Sequence, residues 1–524
     1  MPVHDFTRLG MTWRWLAGRG RRGPELSGEG PVIGVSERGA PIHWSPPTAQ
    51  AAQSIFLPAA SGAGKTAMLA SAVVQEAVAP QREPAQRPAY VIIDGKNDLC
   101  HAVLHGLAAA DPSRLADGHW LAPFEDGFPF NLCRLSGGAT PLEVRALALA
   151  QLTSRVSQMQ ADGGSGSGAR QLEVWTNVYH GAIDCAHPAA SPLWALDALS
   201  EPRHGLKRLA AVTRSERARQ FLSSAHLSEE LRASCASRVR TALALTDQLE
   251  KLVAAPDCIS PAELTRPGSI TLVPLGNPTG GIDSLQRLYG SLVGRIIIEH
   301  LFERPSQFRG HHHVRLIFDE AQVVSSVLSS YLDALLTRGR SLSLSACIIT
   351  QGTTLIQQAS DTIVPLLMTN APLKIVGRLA APDAELLARN LGPRAGIDET
   401  VAAVRSRFVV SATNLKDREF NLMRPGETTR FRSADVDLKG WDVAALRHAD
   451  LIAAVKTRLA PQQNGPRITL QQATGHLSFP EEPRGRGRGR GQTEVSADRA
   501  KSSSPPEKSD ERPTPPNKPR SRWG

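Results

Sequence analysis

Residues 54–70 constrain the fold more tightly than any other stretch: Ser-Ile-Phe-Leu-Pro-Ala-Ala-Ser-Gly-Ala-Gly-Lys-Thr-Ala-Met-Leu-Ala. A short apolar run leads into a glycine-containing turn, and Gly64-Lys65-Thr66 opens an alanine-rich helix. Strand, loop and helix in that order are the context a phosphate-binding P-loop needs. The backbone N–H groups of Ser61, Gly62, Ala63 and Gly64, with the helix N-terminus behind them, are expected to converge on a polyanionic phosphate. Lys65 is expected to reach the β- and γ-phosphates of ATP, and the Thr66 hydroxyl to hold Mg²⁺. The first glycine of the strict pattern is Ala59 here, the smallest available change.

The 524 residues allow two or three domains and a large core. A net charge of +10 hints at a polyanionic partner. About +4 of it falls in residues 481–524 and about +2 in residues 1–30, so the core is only mildly basic and charge alone does not establish nucleic-acid binding. The six cysteines are scattered with no C-x-x-C pair, which suggests neither a zinc site nor a disulfide framework and fits a reducing cytosol. No run of about 18 apolar residues occurs, so no membrane-spanning helix is expected.

Residues 1–31 read as a flexible lead-in, and residues 33–44 alternate around Glu37-Arg38-Gly39 as a small hairpin at the edge of the nucleotide domain. Ala89-Tyr90-Val91-Ile92-Ile93 is a buried strand ending in Asp94-Gly95-Lys96. Asp94 and Lys96 are either ligand-facing residues at a strand tip or a solvated turn. Residues 138–256 lose the strand signal and read as an inserted all-helical domain, with a glycine- and serine-rich loop at 163–168. Strands resume at Ser269, and a strongly apolar helix follows over 285–301.

The run Val314-Arg315-Leu316-Ile317-Phe318 delivers Asp319-Glu320 to the end of a central strand. Adjacent carboxylates there need a compensating cation or bound water. Asp319 is expected to hold Mg²⁺ through water and Glu320 to polarise the attacking water. A helix from Ser329 ends near Arg338, and the next strand, residues 345–350, delivers Gln351 as a γ-phosphate sensor. His311, His312 and His313 read as an exposed loop. After a strand at 373–377 and a helix at 383–391, the signal weakens beyond residue 410 until an amphipathic helix at 442–459. Residues 479–524 read as a disordered basic tail. Its Arg-Gly repeat at 484–491 either holds nucleic acid without sequence preference or only solubilises the chain.

With these residues laid out, the chain resembles the type IV coupling proteins of conjugation systems, the TraG/TraD kind, within the FtsK/HerA class of ring-forming ATPases. The landmarks, in order, are the P-loop at 59–66, Asp94-Gly-Lys-Asn-Asp-Leu, Phe130-Asn131-Leu132, a helix opening at Ala169-Arg170-Gln171 with Trp175, Asp319-Glu320, Gly339-Arg340 and Gln351. They are followed by Asn370 to Gly377, then Asp383 and Gly392, as a closing strand and helix. The resemblance covers roughly residues 32–425. It implies an α/β, RecA-like P-loop NTPase with a mainly parallel sheet and an inserted all-α domain. The motor would be built from 32–137 and 257–425, with 426–478 as a C-terminal extension. It further implies a homo-hexamer with nucleotides at subunit interfaces and Arg340, or failing it Arg338, acting as a finger toward the neighbour's γ-phosphate.

The implied activity is ATP-driven movement of DNA, or a protein–DNA complex, toward a type IV secretion channel, with a relaxase or channel components as partners. Residues 1–31 lack the transmembrane helices usual in the family, so the chain is expected in the cytoplasm, at the inner membrane only through partners. The alternatives are a soluble HerA/FtsK-like DNA translocase in DNA processing or phage defence, a secretion ATPase acting on proteins, and a nucleotide-gated adaptor. Glu320 argues against the last, because an adaptor has little use for a water-activating carboxylate.

Overall fold

The computed structural model describes residues 30–44, 53–79, 85, 87–122, 146, 150, 153, 168–185, 187, 190, 191, 193–224, 227–244, 260–276, 283–302, 312–391, 401–424, 427–458 and 468–479. The first part of the chain forms β1 (Val32–Ser36), β2 (Pro41–His43), β3 (Ile55–Pro58), α1 (Lys65–Val78), β4 (Ala89–Asp94), α2 (Asp98–Ala110) and β5 (Gly118–Trp120). Helices follow: α3 (Ala169–Ile183), α4 (Leu193–Ser200), α5 (Gly205–Val212), α6 (Glu216–Ser224), α7 (Glu229–Ala244) and α8 (Pro261–Leu264). The alternation then resumes with β6 (Ile270–Pro274), α9 (Asp283–Phe302), β7 (Val314–Asp319), α10 (Ser325–Arg338), β8 (Leu344–Thr350), α11 (Thr353–Ala359), α12 (Ile363–Asn370), β9 (Leu373–Val376) and α13 (Ala381–Arg389). Last come α14 (Val401–Thr413), β10 (Glu419–Arg424), β11 (Glu427–Ser433), α15 (Leu438–Arg447), α16 (Ala449–Thr457) and α17 (Leu470–Ala473).

The described strands make one sheet in the order β2-β1-β11-β10-β9-β3-β8-β7-β4-β6-β5. From β9 to β5 neighbouring strands run parallel, whereas β10, β11, β1 and β2 join antiparallel. The parallel strands are covered on both faces, which is why they read as continuous apolar runs. Their alternate residues feed two cores. Phe56, Val91, Leu316, Phe318 and Ile348 face the side that is continuous with the helical region. Leu57, Ile92, Ile317 and Ile349 face α1 and α2. The fold is therefore the expected α/β P-loop architecture with a mainly parallel sheet.

Helices α3–α7 pack around Trp175 and Trp194, both fully buried. The segment before α17 joins them, since the Trp194 indole N–H donates to the Ile468 carbonyl at 3.0 Å. Among the described residues no helix is long and apolar enough to cross a membrane.

Four expectations change. The boundary drawn at 425 falls inside the β10–β11 hairpin, which extends the sheet and pairs with β1. The expected helix at 442–459 is two helices, α15 and α16, meeting at His448. Trp441 of α15 is buried against α2, so this segment belongs to the outer layer of the α/β unit. The helix placed from Ser329 begins at Ser325.

His312 and His313 are not an exposed loop: both are buried at the start of β7. His312 Nε2 bonds the Thr265 carbonyl at 2.9 Å and His313 Nε2 lies 2.8 Å from the Ser345 hydroxyl. An imidazole carries hydrogen-bonding nitrogens on an apolar ring, so it can close a strand end where both kinds of contact are offered. His311, the 130–132 landmark, Gly392, the 163–167 loop, residues 1–29 and the Arg-Gly repeat lie outside the described residues.

Candidate nucleotide site

Strand β8 lies between β3 and β7, so the chain order P-loop, acid pair, glutamine becomes three adjacent strand tips. Pro58 is level with Thr350, and Asp94 with Asp319. The carboxyl ends of β3, β8, β7 and β4 thus share one rim, where α/β sheets open a ligand crevice.

The loop after β3 has the backbone a phosphate cradle requires. Gly62 and Gly64 take φ of 78° and 90°, a left-handed region that side chains with a Cβ rarely enter. Ala59 sits where the strict pattern has glycine, and its methyl is accommodated by Gly377 on the next strand. A Cβ on Gly377 would lie 2.5 Å from that of Ala59. The Ala59 and Ala60 N–H groups are tied to the Thr350 and Arg378 carbonyls at 3.0 and 2.7 Å. Behind the loop, Arg418 donates its N–H to the Ala63 carbonyl at 3.1 Å, and its side chain passes close to Gly64. No sequence signal pointed to Arg418, and Gly377 was legible only as the end of the closing strand; their place beside the loop is set by the sheet order.

Lys65 is buried with its ammonium on the Ala59 and Ala60 carbonyls, the latter at 2.9 Å. Burial pulls its pKa down, against the nearby charges of Asp319 and Glu320. Thr66 is half-buried at the first turn of α1, and Ser61 is exposed.

Asp319 is buried at the tip of β7, and one of its oxygens accepts from the Glu320 N–H at 3.0 Å. Burial, then the charges of Asp94 and Glu320, push its carboxyl up to about 7. Asp94 is no solvated turn: its carboxylate accepts from the N–H groups of Lys96, Leu99 and Cys100 at 2.8, 2.8 and 3.0 Å and fixes the start of α2. Glu320, buried and at φ 55°, is held by three donors: the Lys96 ammonium at 3.1 Å and the amides of Gln322 and Gln351. Gln322 carried no role in the sequence reading, although it lies two residues past the acid pair.

These side chains fit a magnesium nucleotide. Three buried carboxylates at one rim face two lysines, and the P-loop lysine lies on carbonyl oxygens. Among the expected residues, Lys65, Thr66, Asp319, Glu320 and Gln351 come to this rim. Arg340 does not. It is exposed in the turn that precedes β8, at the opposite end of that strand from Gln351. Seven residues of strand separate the two ends, about 23 Å. Arg338 is likewise exposed, at the end of α10.

No protein-family pattern and no curated protein matches the sequence. Solved structures do match in fold. The structure of VirB4 of Thermoanaerobacter pseudethanolicus aligns over 80% of this chain and 100% of its own, at 15% identity and a TM-score of 0.52. The plasmid coupling protein TrwB in complex with a non-hydrolysable ATP analogue aligns over 82% of this chain and 92% of its own, at 15% identity and a TM-score of 0.49. The fold of this chain matches that of VirB4; in this chain the P-loop and the acid pair sit on the tips of β3 and β7, with the Gln351 strand β8 between them.

Proposed function

We propose that the chain is a Mg²⁺-dependent ATPase working as a ring motor that drives DNA, or a protein–DNA complex, toward a type IV secretion channel. The observation that carries the ATPase reading is the convergence of Lys65, Asp319, Glu320 and Gln351 on three adjacent strand tips. In it, the N–H groups of Ser61, Gly62, Ala63 and Gly64 surround the phosphates and Lys65 leaves its carbonyl partners for the γ-phosphate. Thr66 and Asp319 would hold a Mg²⁺, which when bound would supply charge that offsets that of the phosphates. Glu320 accepts a proton from the attacking water once Lys96, Gln322 or Gln351 releases one of its carboxylate oxygens.

The position of Arg340 supports the ring reading. Its own P-loop lies at the far end of β8, so a finger at this position serves the site of a neighbouring copy, as in the family the sequence resembles. A hexamer with nucleotides between subunits meets that geometry, and membrane attachment comes through partner proteins.

The test is steady-state ATP hydrolysis with and without single- and double-stranded DNA at low and moderate salt. Stimulation of several-fold that weakens as salt rises supports the DNA motor, because phosphate contacts release counterions. Turnover indifferent to DNA replaces it with a motor acting on protein substrates.

A further inference from the structure

The opposite rim of the same strands carries the inverse charge. Arg87 precedes β4, Arg114 lies in the turn before β5, Arg266 precedes β6, and Arg458 follows α16. All four gather around residues 114–118 and 266–268. Arg114 donates to the Ala77 and Gly268 carbonyls, each at 3.0 Å, and pairs with Asp117. Arg458 caps the turn through the Ala116 and Gly118 carbonyls at 2.8 and 2.9 Å. Arg266, 43% exposed, reaches the second Asp117 oxygen at 3.4 Å. Asp117 pairs with two of the four guanidinium groups, and Asp111 adds its charge beside Arg114, so the cluster keeps a cationic excess.

Two buried polar groups here have no partner. The Arg87 Nε–H is buried and bonds nothing, and neither ring nitrogen of His119, at 2% exposure in β5, has a hydrogen bond. A buried donor left without an acceptor costs stability, so such groups mark where a ligand or water belongs. Arg266 and Arg458 are also the charges that act on His119. Arg87 packs against Gly268, whose carbonyl Arg114 binds, and His119 follows Gly118, whose carbonyl Arg458 binds, so each orphaned group borders the cationic cluster, where an oxyanion suits both.

We propose that the rim formed by the starts of β4, β5 and β6 is a second oxyanion site that takes a phosphate group, with Arg266 and Arg458 at its mouth and Arg87 and His119 as inner donors. The phosphate oxygens accept from the Arg87 Nε–H and from the neutral imidazole, and the anion's charge offsets the excess that Asp117 and Asp111 leave. The two sources of that chemistry are a free phosphate and the backbone of a nucleic-acid strand. The site lies about 20 Å from the P-loop rim, the length of β4. It does not depend on the ATPase reading.

The test uses the full chain carrying Lys65→Ala, which removes the P-loop as a competing phosphate site. Inorganic phosphate should raise its thermal midpoint in a saturable way, and Arg266→Gln should abolish that rise while leaving the phosphate-free midpoint within a degree or two. Asp117→Asn should lower the phosphate concentration needed by several-fold. Anisotropy of a labelled single-stranded oligonucleotide then separates the sources. A several-fold loss of affinity in Arg266→Gln, with a salt slope shallower by about 1, assigns the backbone of a strand. A lost phosphate response with unchanged oligonucleotide binding assigns a free phosphate. If the parent responds to neither probe, or Arg266→Gln responds like the parent to both, the site does not exist.

Discussion

The two ends of the parallel strands are built from the same backbone yet solve opposite charge problems. At the carboxyl ends, Asp94, Asp319 and Glu320 are buried beside Lys65 and Lys96, and negative charge is in excess. At the amino ends, Arg87, Arg114, Arg266 and Arg458 gather near Asp117 and Asp111, and positive charge is in excess. A third arrangement close by, Arg315 on Glu76, is balanced: both are buried at 3.1 Å, and Tyr90 donates to the same carboxylate. Burying an ion is costly unless it is paired, so the balanced pair reads as architecture and the unbalanced rims as places where a ligand completes the set.

The sharpest break of that contrast is at the acidic rim. Glu320→Gln keeps the side-chain volume but removes the base. Turnover should fall by about 10²–10⁴-fold while an ATP analogue still binds. Lys65→Ala should lose turnover and binding together. Phosphate release and analogue binding measured side by side distinguish the two. Near-normal hydrolysis in Glu320→Gln would assign the base to another group.

The balanced pair should behave differently. Glu76→Ala leaves Arg315 buried without its carboxylate, and the denaturation free energy should drop by about 3–5 kcal/mol. Replacing both, Glu76→Leu with Arg315→Met, should recover most of that loss, since an apolar pair of similar size suits the buried position. No recovery would mean that the pair contributes more than its own compensation.

Next in size is the fit between Ala59 and Gly377. A methyl on Gly377 meets that of Ala59 at 2.5 Å, so Gly377→Ala should destabilise the chain by about 1–3 kcal/mol and weaken analogue binding. Adding Ala59→Gly, which restores the strict P-loop pattern, should rescue both. Failure of the rescue would place the strain elsewhere in the loop.

Legibility in the sequence followed burial. Strands β3, β4, β7, β8 and β9 are covered on both faces and were readable as apolar runs, and with them came Lys65, Asp319, Glu320 and Gln351. The β10–β11 hairpin was not: Glu419-Phe420-Asn421-Leu422 alternates polar and apolar residues and Thr429-Arg430-Phe431-Arg432 holds one apolar residue, so no continuous run announces them. Strand β5 has only three residues, too few to show a period. His312 and His313 looked polar because their partners, the Thr265 carbonyl and the Ser345 hydroxyl, come from other segments. The arginine rim was unreadable for the same reason, its members being spread from Arg87 to Arg458 and joined only by the sheet order.

The smallest effect concerns pH, and it tests whether that rim is short of an anion. Burial, then the Arg266 and Arg458 charges, hold the His119 imidazole down at about 4, from 6.5, with Asp117 opposing. Between those values the unfolded chain binds a proton that the folded chain refuses. Stability from His119 is therefore complete above about pH 6.5 and is lost as pH falls toward 4. In phosphate-free buffer the thermal midpoint should fall between pH 7.5 and 5, and His119→Gln, which cannot ionise, should fall less. Adding phosphate should also reduce the fall in the parent, because an anion beside the ring stabilises its charged form. An equal fall in parent and variant would assign the acid sensitivity to other groups and leave the imidazole a bystander.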